Sequence, residues 1–316
     1  MRSLSLIALL AATPVLAEPV TVLDQLGREV AFDRPPAKVL CLGPDCIQHM
    51  AVIGEVPAMA FEYDVTSSTD PAILGERAAQ MDSFTWGGDG PDMEKLLAFA
   101  PDLVVMDDWS GTGASMAVLR EAAPYIVTVG PYPDYSDLDL TAEGGWGAYT
   151  ADLMNIAAIM GKPDVAQAFA ARLQDRYAAY QALAPGGTTY ARIRLETDNT
   201  ILAMPCAPLL DGLGECIGYG DWTTMMPEGL LADDPQVLYV EESPDRTIDL
   251  EAWNDVPLWA ELSAVREGRV HVIGYGSIYD STPLALSNAL DAIVPALYPE
   301  AFDGPLTDAE VAAALN

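Results

Sequence analysis

A twelve-residue stretch of the chain is matched without a gap by a second stretch that begins 134 residues later. Glu94, Leu96, Leu97, Ala98, Pro101, Leu103 and Val105 line up on Glu228, Leu230, Leu231, Ala232, Pro235, Val237 and Tyr239. Each copy reads as a glutamate opening a short helix, a Leu-Leu-Ala apolar face, a proline turn and a buried strand. A helix–strand unit repeated at that distance calls for two similar lobes, each burying its own core. At 316 residues the chain is long enough for two. One glutamate at a helix N-terminus is ordinary dipole stabilisation. Two at matching places on two lobes suit a partner with two-fold symmetry.

The rest of the chain alternates strands and helices. Residues 38–42 read as a buried strand ending at Gly43 and Pro44, followed by a helical pattern from Cys46 to Val52 and a stop at Gly54. Residues 56–61, 103–106 and 125–129 are further short apolar runs, with helical patterns over 71–79, 92–99 and 114–122 between them. That rhythm predicts a parallel α/β sheet. Ligands of such sheets bind at the carboxyl ends of strands, where Gly43, Glu62, Tyr63, Asp107, Asp108, Trp109 and Gly130 fall. From Trp146 the apolar residues recur at helical spacing, Gly161 stops the run, and Pro163 restarts it through Phe169, Leu173, Tyr177 and Tyr180. A helix of about twenty residues is about 30 Å long, enough to join two lobes. Strands over 189–195, 201–204, 237–240 and 270–273 then resume the alternation. The expected fold class is therefore α/β: two Rossmann-like lobes, over 18–161 and 185–316, joined by a single long helix over 162–184.

Residues 1–17 read as a secretory leader: Arg2, an apolar run from Leu4, and Val15 and Ala17 as the small residues before a Sec-type cleavage after Ala17. Export to the periplasm is the expectation. The formal charge of −32 repels phosphate backbones and anionic lipid, which excludes nucleic acid as a partner. With 51% hydrophobic and 20% charged residues the composition is nonetheless globular. Four cysteines suit an oxidising compartment, and Cys41–Cys46 with Cys206–Cys216 are the economical pairings. A soft-metal site of Cys41, Cys46, His49 and Met50 is the alternative.

Enzyme motifs are missing. There is no Gly-x-Ser-x-Gly elbow or Walker loop, and Gly212, Gly214 and Gly218 lack dinucleotide-binding spacing. Two histidines cannot build a three-histidine zinc site. A secreted metal-dependent enzyme stays as the rival class. Arg192 and Arg194 alternate on a predicted strand and so share a face, where they could grip a carboxylate or catecholate anion. Solvent-facing ion pairs are the other reading of the same two residues.

The unit from Met93 to Val105, the strand and loop from Val39 to Pro44, and the segment from Leu258 to Val270 resemble the periplasmic binding proteins for ferric siderophores, haem and vitamin B12. The resemblance spans about Val20 to Leu297. It implies a rigid linking helix, no enzymatic activity, and delivery of a ferric siderophore or similar bulky iron chelate to an ABC permease dimer of the inner membrane by a monomeric protein. Iron would enter only as part of the bound chelate, with no cofactor and no resident metal. In that family one glutamate per lobe docks on the permease, at positions matching Glu94 and Glu228. The vitamin B12 branch places pocket aromatics at positions matching Tyr63, Trp86, Trp109 and Trp222, rings that supply rigid contact area. Tyr275 and Tyr279 fall where some siderophore binders place a ligand-contacting tyrosine. The chain departs from the B12 branch in that loop, which lacks its acidic and arginine pair, and in having no C-terminal cysteine for Cys216. Corrinoid or haem, with His49 as an axial ligand, is the alternative cargo.

Overall fold

The computed structural model describes residues 19–62, 64–65, 74–87, 90–107, 119–130, 140, 142–206, 210, 212–219, 222–242, 247–274 and 282–315. The leader assigned to residues 1–17 lies outside them. An antiparallel hairpin, β1 (Val20–Leu23) and β2 (Glu29–Phe32), precedes the first lobe. That lobe runs β3 (Val39–Leu42), α1 (Pro44–Val52), β4 (Met59–Phe61), β5 (Asp82–Phe84), the short pair β6 (Trp86–Gly87) and β7 (Gly90–Pro91), α2 (Met93–Phe99), β8 (Leu103–Asp107) and β9 (Tyr125–Val129). Its five-stranded sheet is parallel throughout, in the order β5-β4-β3-β8-β9. Burial on both faces explains why β3 and β8 read as unbroken apolar runs. Along β3, Val39 and Cys41 enter one core, and Leu40 and Leu42 the other.

Helices α3 (Gly145–Tyr149), α4 (Ala151–Ile159) and α5 (Pro163–Leu183) follow. Pro163 begins α5 with a fixed backbone angle, and Asp164 in its first turn meets the positive end of the helix dipole. Ala166 belongs to the first-lobe core, whereas Leu173, Tyr177, Ala179 and Tyr180 belong to the second. Phe169 packs against both. The helix is thus built into each lobe rather than strung between them.

The second lobe comprises β10 (Thr189–Leu195), β11 (Ile201–Ala203), β12 (Glu215–Cys216), β13 (Thr223–Met225), α6 (Pro227–Asp233), β14 (Val237–Glu242), α7 (Leu250–Trp253), α8 (Ser263–Arg266), β15 (Val270–Gly274), α9 (Pro283–Leu297) and α10 (Asp308–Ala314). Its sheet runs β13-β11-β10-β14-β15, with β12 also pairing β10. Here the expected strand–helix alternation is corrected: β10, β11 and β13 form an antiparallel meander. Residues 196–200 close a tight turn in which the Glu196 N–H donates to the Thr200 carbonyl and Asn199 takes φ 63°. Asn is among the few side chains that tolerate that conformation. Arg176 and Tyr180 of α5 both donate to Asp291 of α9, at 2.7 and 2.9 Å, which fastens the C-terminal helices to the linking helix. Among the described residues no helix is long and apolar enough to cross a membrane.

The repeat holds in atomic detail. Leu96 and Leu230 are fully buried, and their carbonyls accept the N–H of Ala100 and Asp234, matching residues that both adopt left-handed backbone at φ 49° and 40°. Leu103 registers with Val39 on the neighbouring parallel strand, and Val237 with Tyr190. Asp102 accepts the N–H groups of Ala37 and Lys38; its counterpart Gln236 accepts that of Thr189, each at 2.9 Å.

Candidate functional site

Strands β3, β4, β8 and β9 end together, and four carboxylates gather there. Asp45 stands in the first turn of α1, Asp64 follows β4, Asp107 ends β8, and Asp152 is in α4; all four are buried. Gly43, at φ 123°, donates its N–H to Asp64 at 2.8 Å, and Gly130, at φ 86°, donates to Asp152 at 3.0 Å. A Cβ at Gly43 would overlap the Asp107 carboxylate, and one at Gly130 would press on that of Asp45. Glycine is required at both places by conformation and by space. Burial, followed by the charges of Asp152 and then Asp64, pushes the Asp45 carboxyl up to about 7. Burial also lifts Asp64 to about 7 against its bond from Gly43, and Asp152 to about 6 against bonds from Gln25 and Gly130. A buried carboxylate without a cation resists ionisation. Beside them, burial drives His49 down to about 4, and its Nδ1 has no hydrogen-bond partner.

The corresponding edge of the second lobe is arranged differently. Glu241 of β14 is the repeat counterpart of Asp107, and both are fully buried. Glu241, however, accepts a charge-assisted bond from Arg192 at 2.6 Å. Arg192 and Arg194 do alternate along β10, but neither guanidinium is an open anion grip. Arg192 is 3% exposed. Arg194 donates to Glu196 at 2.9 Å, and its guanidinium carbon stands 5.8 Å from the Trp222 ring centroid, within cation–π range. Trp222 itself is 37% exposed.

The two strand edges come together at one seam. Thr282, which caps α9 after the segment leaving β15, donates its hydroxyl to Gln48 of α1, and its carbonyl accepts from the Tyr149 hydroxyl at 2.6 Å. Glu94 and Glu228 are both exposed, in the first turns of α2 and α6. Cys41 pairs with Cys46 and Cys206 with Cys216, at Cα separations of 5.5 and 5.9 Å, so these thiols bind no soft metal. No group of three His, Cys, Asp or Glu among the described residues is arranged to hold a metal ion. Tyr63, Trp109, Tyr275 and Tyr279 lie outside the described residues, and Trp86 is placed only as part of β6. The sequence reading overlooked Asp45, Asp64, Asp152 and Glu241. Their one signal is position, since Gly43 and Gly130 stand at predicted strand ends beside them.

Two described cavities lie away from the seam. One of about 450 Å³ is bounded by Trp146, Glu143 and the Tyr177 face of α5. The other, of about 480 Å³, is at the amino-terminal end of β15 beside Arg269 and Tyr298.

No protein-family model and no curated protein matches the chain. Solved structures do. The siderophore-binding protein BauB, bound to two acinetobactin molecules and ferric iron, matches with a TM-score of 0.69 at 17% identity over 89% of this chain and 99% of that one. The triscatecholate siderophore-binding protein FeuA from Bacillus subtilis, complexed with ferri-bacillibactin, matches with 0.66 at 17% identity over 89% and 98%. A periplasmic solute-binding protein from Mycobacterium smegmatis matches with 0.65 at 19% identity over 89% and 98%. Agreement over nearly the full length of each protein makes this their two-lobed fold.

Proposed function

We propose that the protein is the extracytoplasmic substrate-binding component of an ABC importer, capturing a ferric siderophore or similar iron chelate and handing it to an inner-membrane permease. One observation carries the reading: a repeat that puts an exposed glutamate on the same short helix of each of two lobes, fastened by one helix. A monomer with two equivalent acidic knobs offers a two-fold-symmetric permease one contact per subunit. The structural neighbours' own ligands, ferric acinetobactin and ferri-bacillibactin, support the cargo class. The neighbours are binding proteins, which favours capture over catalysis, with iron arriving only inside its chelate. The likeness to BauB and FeuA, at 17% identity, is one of fold, and function is set by the site, so the ligand is identified by measurement. Intrinsic tryptophan fluorescence of the mature chain, titrated with ferric hydroxamate, catecholate and citrate chelates, haem and cobalamin, tests this. Saturable quenching by at least one ferric chelate is the expected result; silence from all of them refutes it.

A further inference from the structure

We propose that each subunit of the permease grips its lobe through a mixed contact, a cation on the docking glutamate and an apolar surface over the side chain beside it, Leu97 on the first lobe and Met226 on the second. This rests on the docking reading above and supplies the apolar half of the contact. Five residues are identical between the two copies of the repeated unit: Glu94 and Glu228, Leu96 and Leu230, Leu97 and Leu231, Ala98 and Ala232, Pro101 and Pro235. Core packing accounts for two of these pairs, since Leu96, Leu230, Pro101 and Pro235 are buried. It does not account for the others: Glu94, Leu97, Ala98, Glu228 and Ala232 are exposed, and Leu231 is half-buried. Inside the lobes, where packing operates, the copies differ, with Leu103, Val104 and Val105 matched by Val237, Leu238 and Tyr239. Helix propensity asks for no leucine at an outward position, where Gln, Lys or Arg serve as well. Residues three and four beyond a glutamate fall on its own helix face. Both lobes therefore carry the same set of carboxylate, leucine and alanine, which a two-fold partner can read twice.

Leu97 is 51% exposed. Leu231 packs in part against the second-lobe core, and Met226, which precedes α6, is 51% exposed in its stead. The position matching Met226 is Asp92, whose carboxylate accepts the Lys95 N–H at 3.0 Å, so the two knobs share a plan and the second is the more apolar. Lys95 is the one cation in either copy, and its ammonium goes to Asp82 and the Ser83 carbonyl rather than to Glu94. An apolar rim excludes water from a central charge pair and strengthens it. A lipid surface does not suit the same knobs, because a chain of net charge −32 is repelled by anionic headgroups.

The test removes apolar surface without touching charge. Leu97→Gln keeps helix propensity, and Met226→Asn puts a good capping residue before α6, so the double variant should match the wild type in thermal unfolding. Its affinity for the ferric chelate that quenches tryptophan fluorescence should stay within about a factor of two. Uptake of that chelate by source cells carrying the variant gene should fall about tenfold, with each single variant intermediate. Association with the purified permease in lipid nanodiscs should weaken equally in low and high salt, whereas the defect of Glu94→Ala with Glu228→Ala should shrink as salt rises. Val165→Gln with Leu183→Gln, which removes exposed apolar surface from α5 instead, should transport as the wild type does. If the Leu97 and Met226 variant transports normally while the glutamate variant fails, the apolar contact is overturned and the docking reading stands. A fall matched by the α5 variant, a salt-dependent defect, or a loss of chelate affinity or thermal stability overturns it too. Normal transport by both variants overturns the docking reading along with it.

Discussion

Asp45 shows how little a residue's identity says before its neighbours are known. In a chain with 47 acidic residues no single aspartate stands out. What distinguishes Asp45 is the register that folds Asp64, Asp107 and Asp152 against it and the two glycines that let them approach. A carboxyl whose folded-state pKa lies above its unfolded value favours the folded state only while protonated. The stability it supplies is complete below about 3.8, shrinks as pH rises toward 7, and above 7 the penalty is full. Asp45→Asn removes that penalty. In urea unfolding the variant should gain on the order of 1–3 kcal/mol at pH 8 and change little at pH 4. A loss of stability at pH 8 would mean that the charge is compensated after all. Arg192 behaves oppositely. The strand parity of Arg192 and Arg194 was readable from sequence, but the partner Glu241 is 49 residues away in the chain. Arg192→Met strands a buried carboxylate and should cost about 3–5 kcal/mol. Adding Glu241→Leu should recover most of it. A double variant no better than the single one contradicts the pairing.

At the scale of elements, the helix–strand unit was legible because its signals are local: a proline turn, an apolar face and a short strand. The antiparallel turn between β10 and β11 was not, since its apolar strands look the same whichever way the partner runs. The C-terminal helices α9 and α10 were also left without a place, because their docking on α5 depends on contacts such as Arg176–Asp291, 115 residues apart in the chain. The two copies of the unit make a matched pair for mutation. Ala100 and Asp234 end α2 and α6 in left-handed conformation, which costs a non-glycine residue about 1 kcal/mol. Ala100→Gly should therefore stabilise the protein by roughly 0.5–1 kcal/mol in thermal unfolding. Asp234→Gly should show no such gain, because the Asp234 carboxylate accepts the N–H and hydroxyl of Ser263 at 2.8 and 2.7 Å. Equal gains at both sites would show that those bonds contribute nothing.

For the whole molecule, the two-lobed plan was readable from the repeat and the long helix, whereas the cleft chemistry was not. The seam's charge balance depends on which acid meets which arginine, and that emerges only from the assembled sheets. The same plan separates two tasks. On the proposed function ligand contact falls at the strand carboxyl ends, whereas Glu94 and Glu228 project from helices that lead into the amino-terminal ends of β8 and β14. Neither glutamate takes part in an ion pair among the described residues, so replacing them disturbs no bonded network. Glu94→Ala with Glu228→Ala should leave chelate affinity unchanged within a factor of about two and stability within about 0.5 kcal/mol. Uptake of the iron chelate through the cognate permease should nonetheless fall at least about tenfold, with each single variant intermediate. Both glutamates are exposed charges, so the defect should be seen chiefly as weaker association with the permease in low salt. If affinity for the chelate falls along with transport, the glutamates are coupled to the seam and the two tasks are not separate. If transport survives, the permease grips the lobes elsewhere, and the matched glutamates are only the dipole-stabilising residues that each would be on a helix by itself.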